Sequence, residues 1–103
     1  MNEVQMNGVG DWYDLVEDGI AEAYRAMRKF PQPNYTISKF AEESGEVVKA
    51  AIHAAEGRGT PSQLRDEMRQ TIAMLYRLWV EGDQVHGLPP VQDAILQEAE
   101  ANA

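Results

Sequence analysis

The sequence of 103 residues contains no cysteine, so neither disulfide bonds nor thiolate metal ligands are available to it. It also lacks any stretch approaching the roughly 20 apolar residues that a membrane-spanning helix needs. Residues 1–10 have neither a basic start nor an apolar run, so we expect a flexible N-terminus rather than a signal peptide. These absences favour a cytoplasmic protein with no membrane partner.

The chain is also short of positive charge, with 9 Lys and Arg residues against 17 Asp and Glu residues and a formal net charge of -8. Duplex nucleic acid and anionic membranes both attract basic surfaces, so this balance argues against either as a partner. A nucleotide is compatible with the negative charge, because divalent cations can bind between carboxylates and phosphates.

The composition is that of a globular protein, 44% hydrophobic and 25% charged, and the length suits a single domain. Apolar residues recur every three or four positions, which is helical spacing, and no segment shows the sustained alternation of a β-strand. The spacing predicts four helices: from Trp12 to Phe30, from Asn34–Thr36 to Ala55, from Pro61 to between Gly82 and Gly87, and from after Pro90 to about Gln97 or beyond.

Residues that favour helix ends occur at the expected positions. Asp11 is a candidate N-cap of the first helix, and Asn34 or Thr36 of the second. The segment Thr60–Gln63 has the pattern of a capping box, with proline at the first helical position. A short turn with two glycines, residues 57–59, joins the second helix to the third, so we expect these two helices to pack antiparallel.

The sequence therefore predicts an all-α fold, an antiparallel bundle of about four helices that forms one domain over residues 11–103. Three amphipathic helices in so short a chain carry more apolar surface than one thin layer can cover. We therefore expect the bundle to be completed by oligomerisation. Candidates for the subunit contact are Trp12, Met27 and Phe30 on the first helix.

Two pairs of polar residues could form a metal site. Glu43 and Glu46 are three residues apart and project from neighbouring turns of one helix face. Glu67 and Gln70 repeat this spacing on the third helix, and antiparallel packing can bring both pairs to one cleft. Carboxylate oxygens are ligands that Mg²⁺ prefers, and the ion can polarise a phosphoryl group. The alternative is a set of ordinary solvated glutamates, because glutamate is a good helix former.

Other residues of the second helix support the site. Gly45 costs about 0.5–1 kcal/mol relative to alanine inside a helix, so we expect it to permit close approach of another helix or a ligand. Lys39, Ala50 and His53 fall on the same strip of the helix as the two glutamates.

The segment Lys39–Glu46, which reads K-x-x-E-E-x-G-E, and the segment Glu67–Gln70 on the next helix together resemble the motif of the MazG-like nucleoside triphosphate pyrophosphohydrolases. The resemblance spans about Ile37 to Leu78. It implies an all-α dimer or tetramer that cleaves an NTP or dNTP to the monophosphate and pyrophosphate. It further implies Mg²⁺, or Mn²⁺, as cofactor, with the following residues: Glu43, Glu46 and Glu67 as catalytic and metal-binding residues, Gln70 at a fourth metal position, and Lys39 as a phosphate contact.

Gln70 departs from the family pattern, which has aspartate at this position. An amide oxygen can bind a metal but contributes no negative charge, so metal affinity is expected to fall. Asp66, one turn earlier, is the candidate substitute. The alternative function is a non-catalytic helical oligomer of the same fold, which binds nucleotide or a protein partner and has lost activity through Gln70.

Four arginines could contact phosphates and the two tryptophans could stack on a base, but surface and core positions are expected for them instead. Both tryptophans belong to the apolar residues that recur at helical spacing, whereas the arginines do not. We therefore expect surface charges at Arg58, Arg65, Arg69 and Arg77, and core packing at Trp12 and Trp79.

Overall fold

The computed structural model describes residues 11–103, and this part of the chain contains four α-helices. The predicted flexible N-terminus, residues 1–10, lies outside the described residues. Within the described range no β-strand occurs, and only Asp83 and Leu88 form an isolated bridge. The predicted all-α fold is confirmed. The helices are α1 (Trp12–Lys29), α2 (Thr36–Ala55), α3 (Pro61–Glu81) and α4 (Val91–Ala101).

Helix α3 is the centre of the fold, because it contacts each of the other three helices. Helices α2 and α3 run antiparallel, as predicted. The backbone N–H of Ile37, at the start of α2, donates to Asp83, just after the end of α3. At the other end of the pair, the N–H of Gly59, just before α3, donates to the backbone oxygen of His53.

The crossing of α1 and α3 depends on Gly19. A β-carbon at this position would lie 2.4 Å from Cγ2 of Ile72, so only glycine lets the two helices come this close. The predicted close approach at Gly45 is wrong within the single chain, where a β-carbon would meet nothing within 4 Å. The buried apolar side chains lie mainly along the α1–α3 contact: Leu15, Ala23, Ala73 and Met74.

Several large apolar side chains are exposed on the single chain. Trp12 is 58% exposed and Trp79 is 46% exposed, so their predicted core packing is wrong for one copy of the molecule. Val48 and Ile52 on α2 are also exposed, because α3 covers a different side of that helix. None of the helices within residues 11–103 combines the length and the apolar character of a membrane span.

Two of the predicted helix starts are confirmed in detail. The side chain of Asp11 accepts a hydrogen bond from the N–H of Tyr13 at 2.9 Å and caps α1. At the start of α3, the Thr60 hydroxyl accepts from the N–H of Gln63, and the Gln63 side chain accepts from the N–H of Thr60. This is the predicted capping box, which satisfies two backbone donors at once.

The start of α2 is capped from a distance rather than locally. The N-cap residue is Tyr35, which makes no side-chain capping bond, so the prediction of Asn34 or Thr36 as N-cap is wrong. Instead, Oδ2 of Asp83 accepts from the N–H of Ile37 at 2.9 Å. A carboxylate at this position also interacts favourably with the positive end of the helix dipole.

Asp83 itself is fully buried in the loop after α3. Its carboxylate accepts hydrogen bonds from the N–H of Ile37 and from the backbone N–H and ring Nδ1 of His86. Burial opposes the ionisation of Asp83, but these hydrogen bonds outweigh it and hold its pKa below the ordinary value. The loop therefore carries a buried charge that joins the ends of α2 and α3.

Arg77 is only 2% exposed, so its predicted place at the surface is wrong. Its Nε donates to Oε1 of Glu81 at 2.9 Å, one turn further along α3. Its Nη2 donates to the backbone oxygen of Phe30 at 2.8 Å, at the end of α1. A buried guanidinium is tolerated here because a carboxylate and a carbonyl oxygen both accept its hydrogens.

Candidate functional site

The predicted strip of α2 lines two cavities. Residues three or four apart on a helix point to the same side, so Lys39, Glu43, Glu46 and His53 line up along this helix. Lys39 and Glu43 line one cavity, and Glu46 and His53 line the other. Glu67 on α3 lines the same cavity as Glu46 and His53. The two helices therefore bring Glu46 and Glu67 to one cavity, while Glu43 lines the other.

Glu43 experiences the negative charge of the other glutamates. Burial raises the pKa of its carboxyl group, and the negative charges of Glu67, Glu42 and Glu46 raise it further. The positive charge of Lys39 opposes this shift without cancelling it. Glu46 and Glu67 therefore lie close enough to Glu43 for their charges to oppose its ionisation, which is the electrostatic condition that a bound cation relieves.

The first cavity, the α2–α3 cleft, has a volume of about 290 Å³ and lies beside the turn between the two helices. Backbone N–H groups of Arg58 and Gly59 donate to the backbone oxygen of His53 and close this turn. The Arg58 guanidinium pairs with Glu56. Acidic and basic groups face the cleft together with smaller residues: Glu46, Lys49, Ala50, His53, Arg58, Gly59, Gln63 and Glu67.

The second cavity, the Arg77 pocket, has a volume of about 260 Å³. It lies where the end of α1, the start of α2 and the buried arginine of α3 meet. An aromatic ring, an amide, two cations and one carboxylate line it: Phe30, Asn34, Lys39, Glu43 and Arg77. Glu43 lines this pocket and Glu46 lines the cleft, and these two residues are three apart on α2, a rise of about 4.5 Å along the helix.

Gln70 makes its contact on the other side of α3. Its Nε2 donates to Oε1 of Glu22 on α1 at 3.0 Å. Burial opposes the ionisation of Glu22, but hydrogen bonds from Arg25 and Gln70 and the charge of Arg69 outweigh it and lower its pKa. To bind a metal together with the α2 glutamates, the Gln70 side chain would have to leave Glu22. Its place as a fourth ligand stays a prediction.

Asp66, the candidate substitute, is largely exposed. Its Oδ1 lies 3.9 Å from Nη2 of Arg69, which is a weak surface ion pair. The other predicted surface arginine of α3, Arg65, binds Oδ2 of Asp18 on α1 at 2.8 Å. The polar residues on this side of α3 therefore join α3 to α1 rather than face the carboxylates of α2.

The donor chemistry of the site fits Mg²⁺, although the side chains are not gathered around one point. Within residues 11–103, no three His, Cys, Asp or Glu side chains converge as ligands of a metal ion. Mg²⁺ typically takes one or two protein carboxylates and obtains its other ligands from water and substrate phosphates. Glu43, Glu46 and Glu67 are the residues that would hold it, with the phosphate chain as the remaining ligand.

Sequence reasoning did not identify the contributions of Phe30, Asn34 and Arg77 to the site. Phe30 and Asn34 lie in the segment between α1 and α2, and Arg77 lies on α3. Helical periodicity gives no signal for contacts between separate elements. Lys49 was also missed, although it lies three residues after Glu46 and so on the same side of α2. That spacing was the signal that could have found it.

Comparisons of this chain with protein-family models, with curated proteins and with solved structures give no match. The candidate function therefore depends on the residues and on the geometry of the site.

Proposed function

We propose that this protein is a Mg²⁺-dependent pyrophosphohydrolase that cleaves an NTP or dNTP to the monophosphate and pyrophosphate. The observation that supports the proposal is the carboxyl group of Glu43, whose pKa is raised by burial and by the charges of Glu67, Glu42 and Glu46 beside two cavities. A group of partly buried like charges destabilises the protein by itself and is relieved by a divalent cation.

The residues of the site have distinct roles in this proposal. When bound, Mg²⁺ would polarise the phosphoryl oxygens and neutralise their charge. Glu43, Glu46 and Glu67 would hold the cation, while Lys39 and Lys49, one in each cavity, would contact phosphate oxygens. One glutamate accepts a proton from the attacking water as the bond between the monophosphate and the pyrophosphate breaks. Each turnover consumes one water molecule.

Release of pyrophosphate from a panel of NTPs and dNTPs, with Mg²⁺ or Mn²⁺, tests the proposal. We expect Glu46→Gln and Glu67→Gln each to lower the rate by about 10–100-fold or more, because each removes a charged metal ligand. Glu98→Gln, on the exposed face of α4, is the matched control and should leave the rate unchanged. If wild type binds metal but releases no pyrophosphate from any nucleotide, the enzymatic proposal is wrong.

A homo-oligomer, either a dimer or a tetramer, is part of the proposal. Apolar side chains on α2, among them Ile37, Val48 and Ile52, are exposed on one copy of the chain. Trp12 at the start of α1 and Phe30 just after its end are exposed as well. Burial of such side chains against a second copy would remove apolar surface from water, which is the main favourable contribution to association.

One observation favours the alternative of a non-catalytic oligomer. The Gln70 side chain is hydrogen-bonded to Glu22 and contributes no charge to the carboxylates of α2. In that case nucleotide binding would persist without turnover. Equilibrium binding of a nucleotide with Mg²⁺, measured beside the pyrophosphate assay, separates the two functions.

A further inference from the structure

The Arg77 pocket presents polar groups that neither the fold nor the proposed metal chemistry uses. Nε and Nη2 of Arg77 donate to Glu81 and to the backbone oxygen of Phe30, while Nη1 has no acceptor among residues 11–103. Every fully buried side-chain nitrogen and oxygen in this range has a partner, so Nη1 must be accessible to solvent. Arg77 lines the pocket and is held in place by its other bonds. It therefore offers the pocket a fixed N–H donor.

Asn34 supplies the complementary acceptor. Its Nδ2 donates to the backbone oxygen of Phe30 at 3.1 Å, which fixes the orientation of the amide. Its Oδ1 receives no hydrogen bond from the described residues. The pocket thus holds one fixed donor and one fixed acceptor, the combination that pairs with the polar edge of a nucleobase.

Phe30 adds an apolar surface to the same pocket. Phe30 is 54% exposed although it lines a cavity. Among residues 11–103, the one cation–π contact of its ring is with the Lys29 ammonium, 5.7 Å from the ring centroid. An exposed ring of this kind is a stacking platform for a base, since every base has a π-face.

The two cavities differ in charge, so we expect them to bind different parts of a ligand. In the Arg77 pocket, Glu81 neutralises the guanidinium and Glu43 offsets the charge of Lys39, so the pocket offers hydrogen bonds and an aromatic ring more than net positive charge. In the α2–α3 cleft, Lys49 makes no ion pair with any residue from 11 to 103, and Arg58 has only an exposed pair with Glu56. Because Glu46 and Glu67 line the same cleft, it is suited to a polyanion that binds together with Mg²⁺.

We infer that the Arg77 pocket binds the base of a nucleotide, with stacking on Phe30 and hydrogen bonds to Arg77 and Asn34, and that the phosphate chain extends past Glu43 into the α2–α3 cleft. This inference rests on the proposed function for the identity of the ligand. The inference adds that the base of the nucleotide lies in the Arg77 pocket and its phosphate chain in the α2–α3 cleft, and it names the side chains that bind each part.

NMR titration of the wild-type protein with two separate probes tests this arrangement. Metal-free 2′-deoxynucleosides carry no phosphate, and they should shift the side-chain amide signals of Asn34 and the Nε signal of Arg77. Inorganic pyrophosphate with Mg²⁺ should instead shift the backbone signals of Lys49, Arg58 and Gly59. Shifts at the same residues with both probes, or no nucleoside-dependent shift at the Arg77 pocket, would overturn the inference.

Variants at opposite ends of the site extend the test. We expect Phe30→Leu to weaken deoxynucleoside binding by about 5–100-fold through the loss of stacking, with pyrophosphate binding unchanged. Lys49→Gln should weaken pyrophosphate binding by about fivefold or more, with deoxynucleoside binding unchanged. Tyr13→Leu and Arg28→Gln, both at exposed positions of α1, are the matched controls. If either site variant weakens both ligands equally, the assignment of separate ends is wrong.

The outcome also distinguishes this inference from the proposed function. Separate binding of the two probes without any pyrophosphate release would retain the arrangement and reject the enzymatic activity. Turnover of nucleotides with an unchanged KM in Phe30→Leu and Asn34→Ala would retain the activity and reject the base pocket.

Discussion

The ionised carboxylate of Glu43 is needed to bind the cation in the proposed function, but it destabilises the metal-free protein. Its pKa is raised above the ordinary value of 4.5 by burial and by the charges of Glu67, Glu42 and Glu46. The folded state therefore binds its proton more tightly than the unfolded state does. As the pH rises from 4.5 through the raised pKa, the stability of the fold decreases, and at neutral pH the ionised carboxylate destabilises the protein.

Glu43→Gln should consequently stabilise the metal-free protein at pH 7, with a rise in Tm on the order of 2 °C. The same change should reduce the rise in Tm that millimolar Mg²⁺ or Mn²⁺ produces in wild type, because a ligand is lost. Thermal unfolding followed by circular dichroism, with and without metal, measures both effects.

The pH dependence provides the control for this prediction. Below pH 4.5 the carboxyl group is protonated in both states, so the difference between Glu43→Gln and wild type should disappear there. Glu98→Gln should show neither the stabilisation nor the altered response to metal. A metal-free Glu43→Gln protein that is less stable than wild type at pH 7 would contradict the predicted repulsion.

Gln70 is the second residue whose environment decides its role. Its amide donates to the carboxylate of Glu22, so an aspartate at this position would lose that bond and face a like charge. We expect Gln70→Asp to destabilise the metal-free protein by about 1 kcal/mol. Chemical denaturation of the two proteins tests this, and Mn²⁺ titration compares their metal affinities. Tighter Mn²⁺ binding in the variant would show that the side chain at position 70 turns towards the α2 glutamates.

At the scale of the helices, two glycines with the same helical context have opposite roles. Gly19→Ala should destabilise the protein by about 1–3 kcal/mol, because the added methyl group collides with Ile72 at the α1–α3 crossing. Gly45→Ala has open space around it in the single chain and should stabilise α2 by about 0.5–1 kcal/mol. Urea denaturation of both variants checks the pair. A loss of stability in Gly45→Ala would indicate a close neighbour from another copy of the chain.

The start of α2 is the second feature at this scale. Asp83→Ala removes the remote cap and leaves the N–H of Ile37 without its acceptor, so we expect a loss of about 3 kcal/mol at pH 7. Asp93→Ala, in the first turn of α4, is the control, and its effect should be small because the residue is exposed.

The effect of Asp83 should also depend on pH. Its pKa is lowered in the folded state, so its stabilising contribution is complete above the ordinary value of 3.8 and decreases as the pH falls through the lower folded value. The gap in stability between wild type and Asp83→Ala should therefore narrow below pH 3.8. A gap that does not change over this interval would show that the carboxylate is not ionised at its capping position.

At the scale of the whole molecule, the exposed apolar side chains predict self-association. Static light scattering should give a mass of two or four chains at micromolar concentration. Val48→Lys should shift the mass towards one chain, because a charge placed in an apolar contact is not solvated. Val85→Lys, in the loop between α3 and α4, is the control. A stable wild-type monomer would contradict the predicted oligomer.

Local features of the sequence were sufficient for the helices and for part of the site. The spacing of apolar residues predicted four helices, and Asp11 and the Thr60–Gln63 capping box predicted where two of them begin. Both kinds of signal are local, because caps and periodicity depend on residues within about one helical turn of each other. The same spacing placed Glu43 and Glu46 on one side of α2. The short turn after α2 gave the antiparallel partner that brings Glu67 to them.

Only the tertiary structure decided the contacts between residues far apart in the chain. The cap of α2 by Asp83, the burial of Arg77 against Phe30, the bond from Gln70 to Glu22 and the fit of Gly19 against Ile72 each join different elements. Helical periodicity determines the direction of a side chain about its own axis, but not which other helix lies in that direction. That choice depends on how the whole set of helices packs, and it made a carboxylate and a guanidinium part of the interior.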